Sequence, residues 1–243
     1  MPLSTELHDT YRTRELMEAL LADPRQLGPD FQPIHSLTGG NLIGYKATGR
    51  GATGTELADT LALLDGARTL GFVERIDWAF RALAVEDMLP RPWLELHLTP
   101  EPETFGTPVA PRFAGLMARA NRELTIAAEF HAEAFAPGAR LDAGLAEARE
   151  WGWKIVLADV SDDADALAKA ASIDPDIVQI DLRRAGRDQD HGVQALLDIA
   201  GAAQAQIMAL GVDVPSALER AQLMDATLVR GNLFGHPGPL PGA

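Results

Sequence analysis

The 243-residue sequence contains no cysteine. That excludes a disulfide framework, a thiolate nucleophile and a cysteine zinc site. No uninterrupted apolar run approaches the ~18 residues that suggest a membrane span. The stretch from Met1 to Asp23 is polar and acidic, without the apolar segment of a secretory signal. We therefore expect a cytoplasmic protein. Positive charge is also scarce: 21 lysines and arginines stand against 35 acids, a formal charge of −14. A field of that sign opposes docking onto DNA, RNA or an anionic membrane. Neither a nucleic acid polymer nor a membrane is an expected partner. A local basic pocket can still hold a small anion, because salt screens distant charges.

Apolar residues make up 47% of the chain, enough for a substantial core. Short apolar runs alternate with amphipathic segments from Phe31 onward. The strands expected are Phe31–His35, Leu42–Ala47, Trp93–Leu98, Leu124–Glu129, Lys154–Asp159, Ile177–Asp181, Gln206–Leu210 and Thr227–Val229. Between them the pattern predicts helices Glu56–Thr69, Val73–Glu86, Pro111–Ala120, Leu141–Trp151, Asp163–Ala171, Val193–Ala203 and Pro215–Leu223. The internal strands are apolar without alternation, as strands buried on both faces should be. Repeated strand–helix units imply a parallel sheet. The first two strands flank Thr38–Gly39–Gly40–Asn41, a turn signal that reads as an antiparallel hairpin. The fold class expected is therefore α/β, a TIM-like (β/α)8 barrel of ordinary size whose first strand is antiparallel. The closing strand near Val229 should pair back to the hairpin. A helix over residues 4–22, with Leu7, Leu16, Leu20 and Leu21 as its apolar positions, should end before Pro24. This divides the chain into an N-terminal helical extension, 1–25, and a barrel domain, 26–243. The Pro/Gly-rich end, Gly235–Ala243, reads as a loose tail.

Several fragments then recur in a familiar order. Phe31–Gln32–Pro33–Ile34, a glycine turn and Ile43–Gly44–Tyr45–Lys46–Ala47 resemble an opening of aromatic-Gln-Pro-Ile, turn, Gly-Tyr-Glu-Ala-Leu-Leu-Arg. Gly71–Asp77, Leu96–Thr99, Leu157–Asp159, Asp176–Asp181, Ala209–Asp213 and Gly231–Pro237 follow at matching spacing. From about residue 31 to 240 the chain is similar to the EAL domain of cyclic-di-GMP phosphodiesterases. Such enzymes hydrolyse a phosphodiester with divalent metals held by carboxylates and an Asn at strand ends. Metals of that kind polarise the phosphate, generate hydroxide near neutral pH and require hard oxygen ligands.

Carried over residue by residue, the resemblance implies a lost active site. The motif glutamate is Lys46, a cation where a dication should bind. The family Asn is His97, a metal-binding glutamate falls on Ala128, and the first Asp of a pair falls on Ala158. Asp159 and Asp181 survive. The catalytic Lys becomes Gln179 and a later glutamate Leu210. Glu129, one residue from Ala128, should turn to the opposite strand face. Neither a metal nor another cofactor is expected. The Phe-Gly-Thr-Gly loop that couples dimer contacts to the metal site is here Val160–Ser161–Asp162–Asp163. Positions that would meet a ligand remain in Gln32, Arg50, Asp213 and Pro237. Arg50 has the planar fork that suits phosphate.

Three other motifs have plainer readings. Asp162–Asp163–Ala164–Asp165 lacks the glycine and terminal Glu of a calcium loop and reads as a helix N-cap. Gly49–Gly54 is glycine-rich but lacks the Gly-Lys-Ser/Thr ending of a phosphate loop. Trp78, Trp93, Trp151 and Trp153 are scattered and read as packing residues. His97, Asp159 and Asp181 should meet at the strand ends, with the Lys46 ammonium paired to at least one of the two acids. The expected function is a catalytically inactive regulatory domain that binds a protein partner. The alternative is a receptor that holds cyclic di-GMP without cleaving it, and a surviving phosphodiesterase is the third reading.

Overall fold

The computed structural model describes residues 3–23, 26–136, 138–184 and 191–242, with side chains from residue 11 onward. Eight strands close into a barrel in sequence order: β1 (Gly28–Ser36), β2 (Leu42–Arg50), β3 (Glu95–Leu98), β4 (Ile126–Phe130), β5 (Lys154–Leu157), β6 (Ile177–Asp181), β7 (Gln206–Leu210) and β8 (Leu228–Arg230). β1 runs antiparallel to both its neighbours, pairing Gln32 with Lys46 on β2 and His35 with Val229 on β8. All other pairings are parallel. The hairpin turn reverses the chain before any helix can cross over, so β1 alone points the other way.

The helices are α1 (Leu3–Ala22), α2 (Thr60–Leu70), α3 (Val73–Met88), α4 (Pro111–Glu123), α5 (Leu141–Glu150), α6 (Ala164–Ala171), α7 (His191–Ala203) and α8 (Pro215–Leu223). α2 starts four residues later than the apolar pattern predicts. Asp59 explains the delay, since its carboxylate accepts from the Leu61 and Ala62 amides and fixes the N-terminus there. Asp163 caps α6 in the same way, as the N-cap reading of that acidic run requires.

Alternation along each strand sorts the side chains into two layers. Ile34, Ala127, Val156, Ile177, Met208, Leu210 and Leu228 fill the barrel. Leu96, Ala128, Phe130, Leu157, Ile180 and Ala209 face the helices in the main core. A separate cluster forms where Met17, Leu20 and Leu21 of α1 pack with Leu63, Ala67 and Ile76 of α2 and α3. The predicted Leu7 contact lies outside the described side chains. The end of the chain is not loose. Phe31 and Gly238 exchange two backbone hydrogen bonds, Leu240 is buried, and Arg91 donates to the Pro241 carbonyl at 2.9 Å. A proline-rich segment makes few backbone bonds of its own, and here Phe31 of β1 supplies the partner. Ala243 lies outside the described residues.

Candidate functional site

A cleft of about 380 Å³ opens at the strand C-terminal ends, lined by Gln32 of β1, Lys46 of β2, Thr99 after β3, His131 after β4 and Arg230 of β8, and bordered by α2 and α3. Behind its lining residues Lys46, Arg230 and His131 lies Glu129. The end of β4 turns this residue into the barrel, with no solvent exposure. Its Oε2 lies 2.8 Å from Lys46 Nζ, and its Oε1 accepts from Arg230 Nη1 at 3.2 Å. His97 Nδ1 stands 3.0 Å from Oε1 and His131 Nε2 3.4 Å from Oε2. Carboxylates only accept, so each of these ring nitrogens donates where it bonds. The other nitrogen of His97 faces Glu95 Oε1 at 2.9 Å, and Glu95 also takes a hydrogen bond from Lys154. A chain of polar contacts thus runs from half-exposed Lys154 through Glu95, His97 and Glu129 to Lys46 and Arg230 at the cleft.

The charges set one another's protonation. Burial alone would raise the Glu129 carboxyl, but Lys46 and Arg230, helped by His131 and His97, hold it well below the usual carboxylate range. Burial lowers Lys46, and Glu129 opposes that effect. A second cluster lies on the wall of the cleft. Arg68 of α2 grips Glu101 at 2.6 Å and Glu103 at 2.9 Å. Arg81, buried on α3, is held by Asp77 and Thr104. Burial, reinforced by Asp77 and by Glu103 and Glu133, pushes Glu101 up to about 7 despite Arg68.

Several sequence-predicted positions are placed differently. Ala128 packs toward the helices, and its neighbours Ala127 and Glu129 face the barrel. The inward face of β4 is therefore one residue away from that expected, with Ala127 and Glu129 inside in place of Ala128. Lys46 makes its ion pair with Glu129 and donates to Thr99. Among the described residues it makes none with Asp159 or Asp181, because each acid has its own arginine. Arg184 reaches Asp159 from the loop after β6, and Arg183 holds Asp181 with two bonds of 2.9 and 3.0 Å. His97 meets Glu95 and Glu129 instead of those acids. Ala158 is buried just past β5, and Leu210 packs inside the barrel. Gln179 is buried with both amide atoms unpartnered among the described residues.

The candidate ligand positions also divide. Gln32 lines the cleft and donates to the Gly235 carbonyl at 3.3 Å. Arg50 stands off it, bonded to Asp30 at 3.3 Å and Thr53 at 2.6 Å. Asp213 caps the Asn232 amide at 2.7 Å, and Pro237 is exposed on the closing segment. Glu95, Arg230, Arg68 and Arg81 were not anticipated. Two-residue spacing of Glu95 with His97, polar positions in an apolar strand, is the signal that could have found the first.

This donor set does not fit a divalent metal. A hard dication needs several free oxygens. The buried carboxylate has both oxygens engaged by cations and rings. Among the described residues no three His, Asp or Glu side chains are grouped to ligate one.

The family model for the EAL domain matches residues 13–237. No curated protein matches the sequence. Among solved structures, the FimX EAL domain of Xanthomonas citri in complex with c-diGMP superposes with a TM-score of 0.76 at 18% identity, covering 98% of this chain and 97% of that one. An EAL domain protein from Listeria monocytogenes EGD-e gives 0.70 at 17%, covering 98% and 95%. The PaMucR phosphodiesterase in its c-di-GMP complex gives 0.72 at 19%, covering 91% and 96%. At such identities these likenesses establish the fold.

Proposed function

Because the chain belongs to the EAL domain family, we propose that it is a member without hydrolytic activity that works as a regulatory protein-interaction module. The carrying observation is the Lys46–Glu129 pair, 2.8 Å apart at the strand ends. Lysine supplies one positive charge and three donors, so it can neutralise a carboxylate but cannot lower the pKa of a water as a bound dication does. The cleft cations already have acidic neighbours: Arg68 pairs with Glu101, Arg81 with Asp77, and Lys46 and Arg230 share Glu129. A ligand carrying two phosphates would have to compete with those acids. The test is incubation with cyclic di-GMP and Mg²⁺ or Mn²⁺. No linear dinucleotide should form above a mock preparation, and a clear product peak would overturn the reading.

One observation favours a second reading, a non-hydrolysing cyclic-di-GMP receptor. Gln32, Lys46 and Arg230 line one open cleft, and the FimX and MucR structures are complexes with that nucleotide. Calorimetric titration with cyclic di-GMP, with and without Mg²⁺, separates the two. Saturable heat without turnover assigns the receptor role. Its absence at millimolar ligand leaves the partner-binding role.

A further inference from the structure

The cleft does not end at the strand tips. It continues beside β2 toward α2 and α3. Where the family motif carries two leucines, this chain has Thr48 and Gly49. The ring of Phe80 lies directly on Gly49, in space that a Cβ would occupy. Thr60, at the start of α2, donates to the Gly49 carbonyl and ties that helix to the strand. Phe80, Leu61, Leu64, Ala84, Leu98 and Pro100 give the space an apolar wall.

Much of the rest of the lining is polar, with Lys46, Arg68, Arg81 and Arg230 set against Asp77, Glu101 and Glu133. Lys46 and Arg230 share the single carboxylate of Glu129, so that trio keeps one surplus positive charge. Arg81 also lines the cleft. It is only 3% exposed, and its Nε has no hydrogen-bond partner among the described residues. A buried charged donor without an acceptor is costly unless something else supplies one. Glu101 and Glu133 on the same wall oppose a heavily charged anion.

We propose that this cleft binds a small monoanion with a flat apolar body, of the aromatic carboxylate class. The carboxylate pairs with Lys46 and Arg230, and the ring system lies against Phe80 between Leu61 and Leu64. One surplus charge matches one carboxylate. A volume of about 380 Å³ lies at the small end of ligand sites and suits a one- or two-ring acid. The inference stands whether or not the chain is catalytically silent.

The test uses 2-naphthoate and its neutral analogue 2-naphthamide, titrated calorimetrically into the full chain. The acid should bind at least about tenfold more tightly than the amide, the effect of a charged hydrogen bond. Lys46→Met should bring the acid down to the level of the amide. Leu61→Glu changes a residue that is 71% exposed at the cleft rim, so folding is retained. It should weaken the acid about tenfold while thermal unfolding followed by circular dichroism stays unchanged. Equal binding of acid and amide overturns the proposal. So does no heat up to about 5 mM, or undiminished acid binding by Leu61→Glu, which carries the test alone if Lys46→Met fails to fold.

Discussion

Lys46 Nζ and Glu129 Oε2 meet at 2.8 Å across β3, whose own His97 touches the same carboxylate. One buried anion thereby joins three strands. Removing the ammonium leaves Glu129 with Arg230 and two histidines, so the loss should fall short of that for an isolated buried pair. Lys46→Met should cost about 2–3 kcal/mol in urea unfolding. Lys46→Met/Glu129→Gln should be more stable than the sum of the two single losses, because the uncompensated charge is gone. Simple additivity would show that the two side chains do not interact.

Glu101 gives the fold a pH dependence of defined sign. Burial, with Asp77 nearby, pushes this carboxyl from the usual 4.5 up to about 7. The folded state therefore holds a proton that the unfolded chain releases earlier. The contribution is complete below about 4.5 and is lost as pH rises through about 7. Glu101→Gln, which mimics the protonated form, should gain stability relative to the parent between pH 5 and 8. The gain should reach at most about 3 kcal/mol. A constant difference across that range would place the titration elsewhere.

How far the sequence could be read depends on which signal each feature uses. Strand–helix alternation and the glycine turn at 38–41 specify the barrel and its reversed β1, because both follow from local periodicity and turn chemistry. The site was harder. Lys46 and His97 sit where alternation puts them, but a one-residue slip in β4 turned Glu129 the wrong way and hid the partner of Lys46. Arg230 lies a hundred residues from Glu129 along the chain, and no local pattern announces that contact. Asp159 and Asp181 looked like members of one cluster, yet Arg183 and Arg184 claim them from the following loop. The proline-rich end read as loose because its hydrogen bonds belong to β1.

Gln179 should be a stability liability. Both atoms of its amide are buried in the barrel without a partner among the described residues. Such groups cost about 1–3 kcal/mol each. Gln179→Met keeps the length of the side chain and removes the polar atoms, so it should raise stability by about 1–2 kcal/mol in thermal or urea unfolding. A loss instead would mean that an ordered water satisfies the amide.

Two glycines of β2 should respond differently to the same substitution. At Gly44, an added Cβ would run into the backbone of Glu95 on β3. The two residues are register partners in a parallel ladder, so relief requires the strands to part. Parting them also pulls Lys46 of β2 away from Glu129 of β4. At Gly49, the obstacle is the Phe80 ring. A side chain that borders an open cleft can swing aside at the cost of packing alone. Gly49→Ala should therefore cost about 1–2 kcal/mol, within the ordinary range for overpacking, and Gly44→Ala more than about 3. Urea midpoints of the two variants measured side by side check the order. If Gly49→Ala were the more damaging, the Phe80 ring would be part of the rigid core, and the cleft beside it would not be free to admit a ligand.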